Sequence, residues 1–285
     1  MSADWQWDPT LFAGAARYYD RGRYPYAPGL ADAMRDALGL DGRGRLLDVG
    51  CGPGTVALRL AHLFESVVGL DSDPEMLDEA ARLAAERGID NTRWVHMRAE
   101  ELPAGLGTFR VVTFAASFHW MDRDAVAHAV RRMLDAGGAV VHVDNLYRVA
   151  ARMDGRNRID PGPDAPFPPE PWDAINALVQ RYLGAGRRAG QSVRESSPNR
   201  EDLVFRAAGF DGPEVVPVPG WGLVERRADD VVALVLSMSS SAPHLFGDRL
   251  PAFEADLRAL LAEASPAGRF SVRLRDNVLN IYRPV

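Results

Sequence analysis

The residues with the clearest capacity for chemistry form a glycine turn that follows an apolar segment. Residues 46–55 read Leu-Leu-Asp-Val-Gly-Cys-Gly-Pro-Gly-Thr, and apolar residues at helical spacing come next. The pattern predicts a strand, a turn and a helix. In an open α/β sheet, such a turn lies at the carboxyl end of a strand, where ligands bind. Gly50, Gly52 and Gly54 let the backbone approach a ligand closely, because glycine has no Cβ.

The spacing of these glycines predicts a ligand without phosphate groups. A dinucleotide-binding turn requires Gly-x-Gly-x-x-Gly, and here Thr55 stands at the third glycine position. Pro53 removes an N–H that a pyrophosphate would need, and no Gly-Lys-Ser/Thr of a P-loop follows. A nucleoside therefore fits this turn better than a dinucleotide. An NAD-binding Rossmann turn is the alternative.

An acidic residue stands at or near the end of each of the first two predicted strands. Asp48 precedes the glycine turn, and Asp71 ends the apolar segment 66–71. A carboxylate at the second position can accept hydrogen bonds from both hydroxyl groups of a ribose, and its charge strengthens such bonds. The separation along the chain between the turn and Asp71 is close to that expected of an α/β nucleoside site. Asp71 is therefore the predicted ribose ligand.

Residues 46–55 and 67–76 together resemble motifs I and II of the class I S-adenosylmethionine (SAM) methyltransferases. The resemblance implies SAM as the cofactor. Asp48 would then order the glycine turn and receive the methionine ammonium through water, while the Gly50 carbonyl receives it directly. Asp71 would bind the ribose. The cofactor-binding residues that follow from the whole resemblance are Arg23, Asp48, Gly50, Cys51, Gly52, Gly54, Asp71, Ser72, Met76, Ala99, Glu100 and Ser117.

Two further segments extend the resemblance around the adenine of SAM. Residues 97–103 resemble motif III, in which an acidic residue or a neighbouring amide contacts the adenine edge, and this selects Glu100 and the backbone of Ala99. Met76, in the first turn of the helix after Asp71, is placed to cover the adenine. Two plainer interpretations stay open: residues 97–103 as a solvated acidic turn, and Met76 as an ordinary apolar residue of a first turn.

A Ser-Phe-His-Trp sequence at residues 117–120 follows the fourth predicted strand. It resembles the corresponding motif in a branch of small-molecule methyltransferases that includes the trans-aconitate type, and this position lies beside the sulfonium. His119 is the candidate general base, because imidazole titrates near neutral pH. Trp120 is predicted to shape the wall of the pocket. A histidine beside aromatic residues can also be purely structural, and methyl transfer does not always need a base.

The aromatic and arginine-rich N-terminal segment is predicted to close over the site. Residues 18–25 read Tyr-Tyr-Asp-Arg-Gly-Arg-Tyr-Pro, a composition that cannot bury a core of its own. Small-molecule methyltransferases have a similar stretch over cofactor and substrate. By that resemblance, Arg23 holds the methionine carboxylate, and Tyr18 or Tyr19 caps the sulfonium. The alternative is that these side chains only pack the N-terminal helix.

The elements that position these residues predict a single α/β domain with a Rossmann-like, seven-stranded and mostly parallel sheet. One antiparallel edge strand is expected, with residues 213–219 and 270–282 as a hairpin-like pair, and helical lid insertions complete the fold. The proline-rich part of the lid cannot be helix or central strand, and an inter-domain linker is the alternative for it. The predicted organisation is an N-terminal cover at residues 1–42, a SAM-binding core at 43–145, a lid insertion at 146–198, and sheet completion with a helical insertion at 199–285.

Composition excludes several classes of protein. The chain has 285 residues, with 33 basic side chains that are all arginine and 39 acidic ones, for a net charge of −6. A chain with this net charge lacks the excess of positive charge that binds the phosphates of nucleic acid. The lack of lysine excludes Schiff-base chemistry. Cys51 is the only cysteine, so no internal disulfide can form, and no histidine pair has metal-ligand spacing. Without a membrane-spanning apolar run or a signal pattern, a cytoplasmic monomer or homodimer is expected.

These features predict SAM-dependent methyl transfer to a small organic metabolite in bacterial secondary metabolism. The many Trp and Tyr residues of the cover segments favour a flat aromatic acceptor, such as an indole, a phenol or an amine. The trans-aconitate resemblance favours a carboxylate. A cyclase or pericyclase that binds SAM on the same fold is one alternative, and an NAD-dependent oxidoreductase is another.

Overall fold

The computed structural model describes residues 8–144, 161–186, 188–189, 192–193, 201–274 and 276–285. Its centre is a seven-stranded sheet whose strands are β1 (Arg45–Val49), β2 (Ser66–Asp71), β3 (Thr92–His96), β4 (Phe109–Ala115), β5 (Leu134–Asp144), β8 (Phe210–Val218) and β11 (Asn277–Pro284). The order across the sheet is β3-β2-β1-β4-β5-β11-β8. Strand β11 runs antiparallel to both of its neighbours, and the other pairings in this sheet are parallel. The predicted Rossmann-like sheet with one antiparallel strand is confirmed.

The antiparallel strand lies one position in from the edge, and not at the edge as predicted. The outermost strand is β8, which contains Pro213 and Pro217 and is largely exposed. Proline lacks the N–H that a central strand uses for pairing, so these residues suit an edge. In β11, by contrast, Leu279 is buried in the core on one face of the sheet and Tyr282 is buried in the core on the other face. Burial on both faces therefore places β11 inside the sheet and leaves the outer position to β8.

The predicted strand at residues 270–282 is in fact two strands that belong to different sheets. Strand β10 (Arg269–Leu274) pairs antiparallel with β9 (Gly222–Arg227) in a separate two-stranded ribbon, whereas β11 joins the main sheet. Asp276 lies between β10 and β11, and its carboxylate accepts a hydrogen bond from the Gly220 N–H (2.9 Å). Aspartate favours turns through such side-chain bonds. This tertiary contact marks a break that the apolar pattern alone does not reveal.

The helices surround the main sheet and form a second layer above one of its ends. Those of the described chain are α1 (Ala16–Gly22), α2 (Leu30–Leu38), α3 (Ala57–Leu60), α4 (Pro74–Glu86), α5 (Arg123–Arg132), α6 (Trp172–Leu183), α7 (Glu201–Ala207), α8 (Ala228–Leu236) and α9 (Leu250–Ala264). Short 3-10 helices lie at Ala61–Leu63, Ala99–Glu101, Phe118–Trp120, Pro243–Leu245 and Gly247–Arg249, and a small pair is formed by β6 (Arg188–Ala189) and β7 (Ser192–Val193). Within the described ranges, none of the helices combines the length and hydropathy that a bilayer-spanning segment requires.

Alternate residues of the central strands enter two separate cores. Leu46 and Val67 pack on the face of the sheet that α2 and α3 cover, while Leu47 and Val68 pack on the face that α5 covers. Burial on both faces is what a parallel sheet requires, because helices lie on either side of it. Because β1 runs parallel to both β2 and β4, the carboxyl ends of these three strands meet at one edge of the sheet.

Helices α6, α8 and α9 and the β9–β10 ribbon bury a third core, and we call these elements the cap. Ile175 of α6, Val235 of α8 and Phe253 of α9 are fully buried in it. The predicted lid and the predicted helical insertion therefore belong, in part, to one packed unit. The other parts of the predicted lid, at residues 146–160, 187, 190–191 and 194–198, lie outside the described residues.

The N-terminal helix α1 contacts both the cap and the sheet domain. Arg21 forms an ion pair with Asp230 of α8 (2.9 Å), and Asp20 forms one with Arg87, which follows α4 (3.1 Å). These pairs are partly exposed and each contributes little to stability. Their position matters more than their strength, because they place α1 across the junction between the two units.

Candidate functional site

The glycine turn lies between β1 and α3 and is tied to β2. The N–H groups of Gly50 and Cys51 both donate to the Leu70 carbonyl oxygen, each at 2.9 Å. Gly50, Gly52 and Gly54 have φ angles of +68°, +53° and +77°, a region of backbone conformation that favours glycine. The predicted strand, turn and helix are confirmed at these positions.

The three glycines of the turn have different surroundings. A Cβ on Gly50 would lie 2.6 Å from Cβ of Ser117, and a Cβ on Gly54 would lie 2.8 Å from the Trp94 ring. A Cβ on Gly52 would meet no atom of the described chain within 4 Å. Gly50 and Gly54 therefore permit close packing, whereas Gly52 leaves open space beside the turn. A ligand can reach the backbone at Gly52.

We expect Gly50→Ala and Gly52→Ala to damage different properties. Gly50→Ala combines a positive φ with a clash against Ser117, so the free energy of unfolding should fall by about 3 kcal/mol or more. Gly52→Ala should cost only about 1–2 kcal/mol of backbone strain. Its methyl group, however, would fill the space beside the turn and lower the affinity for S-adenosylhomocysteine (SAH), the demethylated form of SAM, by about tenfold or more. Chemical denaturation and calorimetric titration measure the two effects, and equal losses in both variants would contradict this distinction.

Asp48 is buried near the end of β1 and holds two neighbouring elements. Its Oδ1 accepts a hydrogen bond from Thr113 Oγ1 of β4 (2.7 Å), and its Oδ2 accepts one from the Ala57 N–H at the start of α3 (3.2 Å). Burial raises the pKa of Asp48 to about 6, although both hydrogen bonds act to lower it. These contacts agree with the predicted role of Asp48 in ordering the turn. Its contact with a methionine ammonium stays a prediction.

Asp71 joins the glycine turn to the start of α4. Its Oδ2 accepts a hydrogen bond from the Gly52 N–H (2.8 Å), and its Oδ1 accepts one from the Asp73 N–H (3.0 Å). A carboxylate offers about four lone-pair positions, so acceptor capacity is left for two hydroxyl groups. Burial raises the pKa of Asp71 to about 6. Asp71, the residue predicted to bind the ribose, thus lies directly beside the open space at Gly52.

We expect SAH to bind more tightly as the pH rises from about 5 to 7. Asp48 and Asp71 both have a pKa of about 6, so the ligand-free protein carries protons there below that pH. An ammonium group and ribose hydroxyl groups favour the ionised carboxylates, so binding must displace those protons. Calorimetric titration should show binding about 10-fold tighter at pH 7.5 than at pH 5.0 for each carboxylate that must ionise, and so up to about 100-fold tighter for both. Asp71→Asn should lose part of this dependence; an unchanged dependence would assign it to other groups.

Whereas SAH affinity should rise with pH, the contribution of Asp48 to the stability of the ligand-free protein should fall as the pH rises. Because the pKa of Asp48 is about 6 when folded and ordinarily 3.8, the folded chain binds more protons between these values than the unfolded chain. The contribution of Asp48 to the free energy of unfolding is therefore greatest at low pH and is lost as the pH rises through about 6. Denaturation of wild type and Asp48→Asn at pH 4.5 and 7.5 isolates this term. The variant should retain more of its stability at the higher pH.

The N-terminal segment and the glycine turn line one cleft at the carboxyl end of the sheet. Its lining residues are Tyr19, Arg23, Tyr24, Tyr26, Asp48, Gly50, Cys51, Gly52, Thr55, Val56 and Ala115. The structure thus brings together six of the residues that the sequence selects, namely Tyr19, Arg23, Asp48, Gly50, Cys51 and Gly52. Within the described chain, no group of three His, Cys, Asp or Glu side chains could hold a metal ion.

Three polar or aromatic residues of the cleft were not selected from the sequence. Tyr24 and Tyr26 flank Pro25 in a stretch that is neither helix nor strand, and two tyrosines so close to Arg23 are a usable signal. Thr55 belongs to the glycine motif itself. Its buried Oγ1 has no hydrogen-bond partner among the residues that the structure describes. Buried hydroxyl groups are normally paired, so this oxygen suits a ligand contact.

Arg23 is held at the cleft by both the cover and the cap. Its guanidinium lies over the Tyr19 ring, with 4.5 Å between the guanidinium carbon and the ring centroid. Its Nη2 donates to the carbonyl of Ser237, the residue that follows α8 (2.5 Å). The cap therefore fixes a positive charge at one wall of the cleft, where Asp48 lies on another.

Tyr18 does not line the cleft. It packs against the cap core, and its hydroxyl accepts a hydrogen bond from Arg17 Nη2 (2.8 Å). Adjacent residues on a helix point about 100° apart, so Tyr18 and Tyr19 of α1 face different neighbours. Of the two candidates for capping the sulfonium, Tyr19 is the one that the structure places at the site.

The residues predicted to surround the adenine are engaged by other parts of the chain. Met76 is 2% exposed and packs beneath α1, and Ala99 is buried in the main core. Glu100 Oε1 accepts a hydrogen bond from the Asp122 N–H (2.9 Å), and its Oε2 forms an ion pair with Arg98 (3.3 Å). These contacts hold the start of α5 against the 3-10 helix. Contact with an adenine stays a prediction for all three residues.

Three further selected residues make contacts that anchor the backbone. Ser117 Oγ donates to the Val49 carbonyl (2.6 Å), and the Ser72 carbonyl lies 3.2 Å from His96 Nε2. The Cys51 thiol is buried in the turn. Burial raises the pKa of this thiol, and the nearby carboxylates raise it further, so Cys51 stays protonated and is a poor nucleophile.

A row of aromatic rings leads from the cleft along the end of β4. Tyr19 lies 6.5 Å from Phe12, and Phe12 lies 6.1 Å from Trp120, in both cases edge to face between ring centroids. The Trp120 ring is in turn 4.6 Å from that of His119. We call Tyr19, Phe12, Trp120 and His119 the aromatic row. Phe12 was missed in the sequence because nothing in its local pattern connects it with the segment after β4.

The loop that carries His119 and Trp120 is anchored from beneath. Phe118 is fully buried, and its ring stacks on that of Phe205 in α7 at 4.8 Å. Ala116, just before the loop, has a φ of +54°, which costs a residue with a Cβ about 1–2 kcal/mol. Strained positions of this kind persist where the surroundings enforce them, and they cluster at functional sites. The loop is therefore held in one conformation beside the glycine turn.

Comparison with known proteins bears on this same region. Residues 46–138 match the family model described as a methyltransferase domain. The chain is similar to the uncharacterized methyltransferase YcgJ of Bacillus subtilis, with 32% identity over 102 residues, which cover 35% of this chain and 40% of YcgJ. It is also similar to the uncharacterized methyltransferase Rv3342 of Mycobacterium tuberculosis, with 30% identity over 171 residues, which cover 58% of this chain and 66% of Rv3342. The chain thus spans less than two thirds of the length of these relatives.

Similarity to solved structures extends over more of the chain at lower identity. The crystal structure of YcgJ aligns with 88% of this chain and 96% of its own, at 20% identity and a TM-score of 0.49. The matched family region contains the glycine turn, Asp71, Glu100 and the loop with His119. The N-terminal segment and the cap lie outside the matched family region.

Proposed function

We propose that this chain, which carries the methyltransferase domain match over residues 46–138, transfers the methyl group of SAM to a small organic acceptor. The observation that carries the proposal is the arrangement of Asp71 and Gly52. The carboxylate accepts the Gly52 N–H at 2.8 Å and borders a position where a side chain would meet open space. A nucleoside with two free hydroxyl groups fits that arrangement, and the turn offers no lysine for a phosphate.

The cleft offers a matching group for each part of SAM. Asp71 would bind the ribose, Arg23 would bind the methionine carboxylate, and Asp48 with the Gly50 carbonyl would receive the ammonium. Arg23 and Asp48 provide opposite charges at two walls of the cleft, as a zwitterion requires. The buried Oγ1 of Thr55 adds a polar contact, because it lacks a hydrogen-bond partner in the described chain. When bound, SAM supplies a methyl carbon that its sulfonium already activates.

The work of the protein in this reaction is alignment, exclusion of water and contact with a cation. Positive charge disperses as the methyl group moves, so a carboxylate in contact with the sulfonium would favour the ground state and slow the reaction. Ring faces hold a cation less tightly, and Tyr19 and Trp120 provide them. Helix α1 lines the cleft through Tyr19, and the chain just after α8 of the cap binds Arg23 at its wall, so we expect these elements to exclude water. Most of the acceleration should come from this alignment in a dry site.

His119 is proposed to accept a proton from the acceptor. It stands in the 3-10 helix after β4, in ring contact with Trp120, at the end of the aromatic row. A phenol, an indole or an aromatic amine suits a site from which Phe12 and Trp120 continue the ring contacts of Tyr19, because aromatic rings pack edge to face or in offset stacks. A carboxylate acceptor would need a cation of its own. Among the described lining residues of the cleft, Arg23 is the sole cation, and Tyr19 and Ser237 hold it.

Calorimetric titration of the purified chain with SAH tests the proposal, with NAD as the control ligand. Saturable binding of SAH and none of NAD is expected, and failure to bind SAH at millimolar concentration would overturn the proposal. A phenol, an indole and a tricarboxylate are then incubated with the protein and methyl-labelled SAM. Label in the aromatic products supports the acceptor class, whereas label in the tricarboxylate alone replaces it. A product that forms without gaining a methyl group would instead favour a SAM-binding cyclase.

A further inference from the structure

A buried cluster of polar side chains lies where the cover, the cap and the segment before α6 meet. Its members are Tyr24, Glu170, Trp172 and Arg226, and we call them the buried cluster. Tyr24 and Glu170 are each 7% exposed and Arg226 is 6% exposed. Glu170 stands just before α6, Arg226 belongs to β9, and Tyr24 follows α1. Of the four, Tyr24 also lines the cleft beside the glycine turn.

Glu170 is the centre of the buried cluster. The Tyr24 hydroxyl and the Trp172 indole N–H (2.9 Å) both donate to its Oε2. Its Oε1 lies 3.6 Å from Nε of Arg226, in an ion pair almost closed to solvent. Burial raises the pKa of this carboxyl, and the Arg226 charge and the two hydrogen bonds act to lower it. One carboxylate thus connects the cover to two parts of the chain more than 50 residues apart.

Arg226 binds the backbone just before Tyr24 and also contacts the Tyr24 ring. Its Nη2 donates to the Gly22 carbonyl (2.6 Å) and to the Asp230 carbonyl (2.7 Å). Its guanidinium carbon lies 4.8 Å from the centroid of the Tyr24 ring. Arg226 therefore fixes the backbone two residues before Tyr24 and contacts the ring itself, while Glu170 binds the hydroxyl at the far end.

The backbone near Tyr24 has no regular structure that would place this ring. Residues 23–27 are neither helix nor strand, so side-chain contacts decide where the ring points. Taking an ion pair out of water is costly, and apolar replacements of such pairs are often as stable or more stable. A buried pair is therefore weak evidence for a role in stability. The contacts of Glu170 and Arg226 instead converge on the Tyr24 ring in the wall of the cleft.

We propose that Glu170 is a positioning residue that, together with Arg226, holds the Tyr24 ring against the ligand in the cleft. The inference rests on the proposed function, in which that ligand is SAM or SAH. Glu170 does not touch the ligand in this account; it acts through Tyr24. Seating of the segment before α6 is then required for tight binding, because that segment carries the carboxylate.

The test compares SAH affinity in two variants and their double mutant. Tyr24→Phe keeps the ring and removes the hydroxyl, and Glu170→Gln keeps the shape and removes the charge. Each should weaken SAH binding by about 5- to 10-fold in calorimetric titrations at a temperature well below unfolding. The double mutant should bind SAH about as tightly as the single variant with the lower SAH affinity, because both changes break the same contact.

Two substitutions on the cap surface serve as matched controls. Glu225→Gln changes the neighbour of Arg226 on β9, an exposed glutamate paired with Arg269. Tyr182→Phe removes a hydroxyl that donates to Asp256 on the cap. Both should leave SAH affinity within about twofold of wild type. Thermal unfolding of each ligand-free variant is recorded in parallel, because a purely structural role would lower the unfolding temperature and leave SAH affinity unchanged.

The possible outcomes separate this inference from the proposed function. If the wild-type protein binds SAH, and Tyr24→Phe and Glu170→Gln bind it as tightly as the control variants do, the positioning role alone is overturned. Losses that multiply in the double mutant would also overturn it. If Glu170→Gln fails to fold, Tyr24→Phe decides, since it leaves the ion pair in place. Wild-type protein that ignores SAH would overturn the proposed function and this inference with it.

Discussion

His119→Ala should lower the turnover number by about 10²- to 10⁴-fold, the usual contribution of a general base, while SAH affinity changes by less than about threefold. The physical reason is that the imidazole is proposed to take a proton from the acceptor as the new bond to carbon forms. It stands at the far end of the aromatic row from the cleft-lining Tyr19, so its loss should leave cofactor contacts intact. Turnover with labelled SAM and calorimetric titration with SAH measure the two quantities.

His128→Ala provides the matched control for this experiment. His128 is an exposed residue of α5, and its Nδ1 contacts the Asp124 carbonyl at 2.8 Å. Its removal should affect neither turnover nor affinity. A parallel fall of turnover and SAH affinity in His119→Ala would assign His119 to the structure of the loop. A turnover unchanged from wild type would show that the transfer needs no base, as is possible for an acceptor already ionised.

Asp71→Asn should weaken SAH binding by about 100-fold. The substitution removes the negative charge and exchanges one acceptor oxygen for a donor, so the two ribose hydroxyls and the Gly52 N–H can no longer all be satisfied. Hydrogen bonds to a charged group contribute about 1.5–3 kcal/mol each, and each 1.4 kcal/mol is a factor of ten. Asp78→Asn, on the exposed face of α4, is the control and should bind SAH as wild type does.

A modified ligand separates ribose binding from a general loss of the site. Wild-type protein should bind a 2′,3′-dideoxy analogue of SAH about 100-fold more weakly than SAH, because both hydroxyl groups are missing. Asp71→Asn should bind the analogue and SAH almost equally. A variant that still discriminates strongly between the two ligands would show that another residue binds the ribose.

The local parts of this site are predictable because they depend on neighbours within a few residues. The run around Gly50 specifies a strand, a glycine turn and a helix, and the structure has them at those positions. Asp71 ends β2, as its place after an apolar segment indicates. The glycine turn after β1 and Asp71 at the end of β2 lie together because neighbouring parallel strands end at the same edge of a sheet.

The arrangement of the last strands could not be predicted from local patterns. The position of β11 between β5 and β8 depends on pairing between residues far apart in sequence, such as Val278 with Asp144. Burial of Leu279 on one face and of Tyr282 on the other then excludes the edge position that the sequence suggested. The separation of β10 from β11 likewise depends on a contact of Asp276 with a distant loop.

The sequence alone determined the glycine turn, the two carboxylates beside it and the aromatic, arginine-rich character of the cover, because each is a property of residue type and short spacing. Tertiary structure decided which of Tyr18 and Tyr19 reaches the cleft and which ring connects the cover to His119. It also decided that Tyr24 is held by Glu170 and Arg226. The contacts of Tyr24 with Glu170 and Arg226, and of Phe12 with Trp120, join segments separated by more than a hundred residues. Packing of distant elements, rather than any local preference, brings them together.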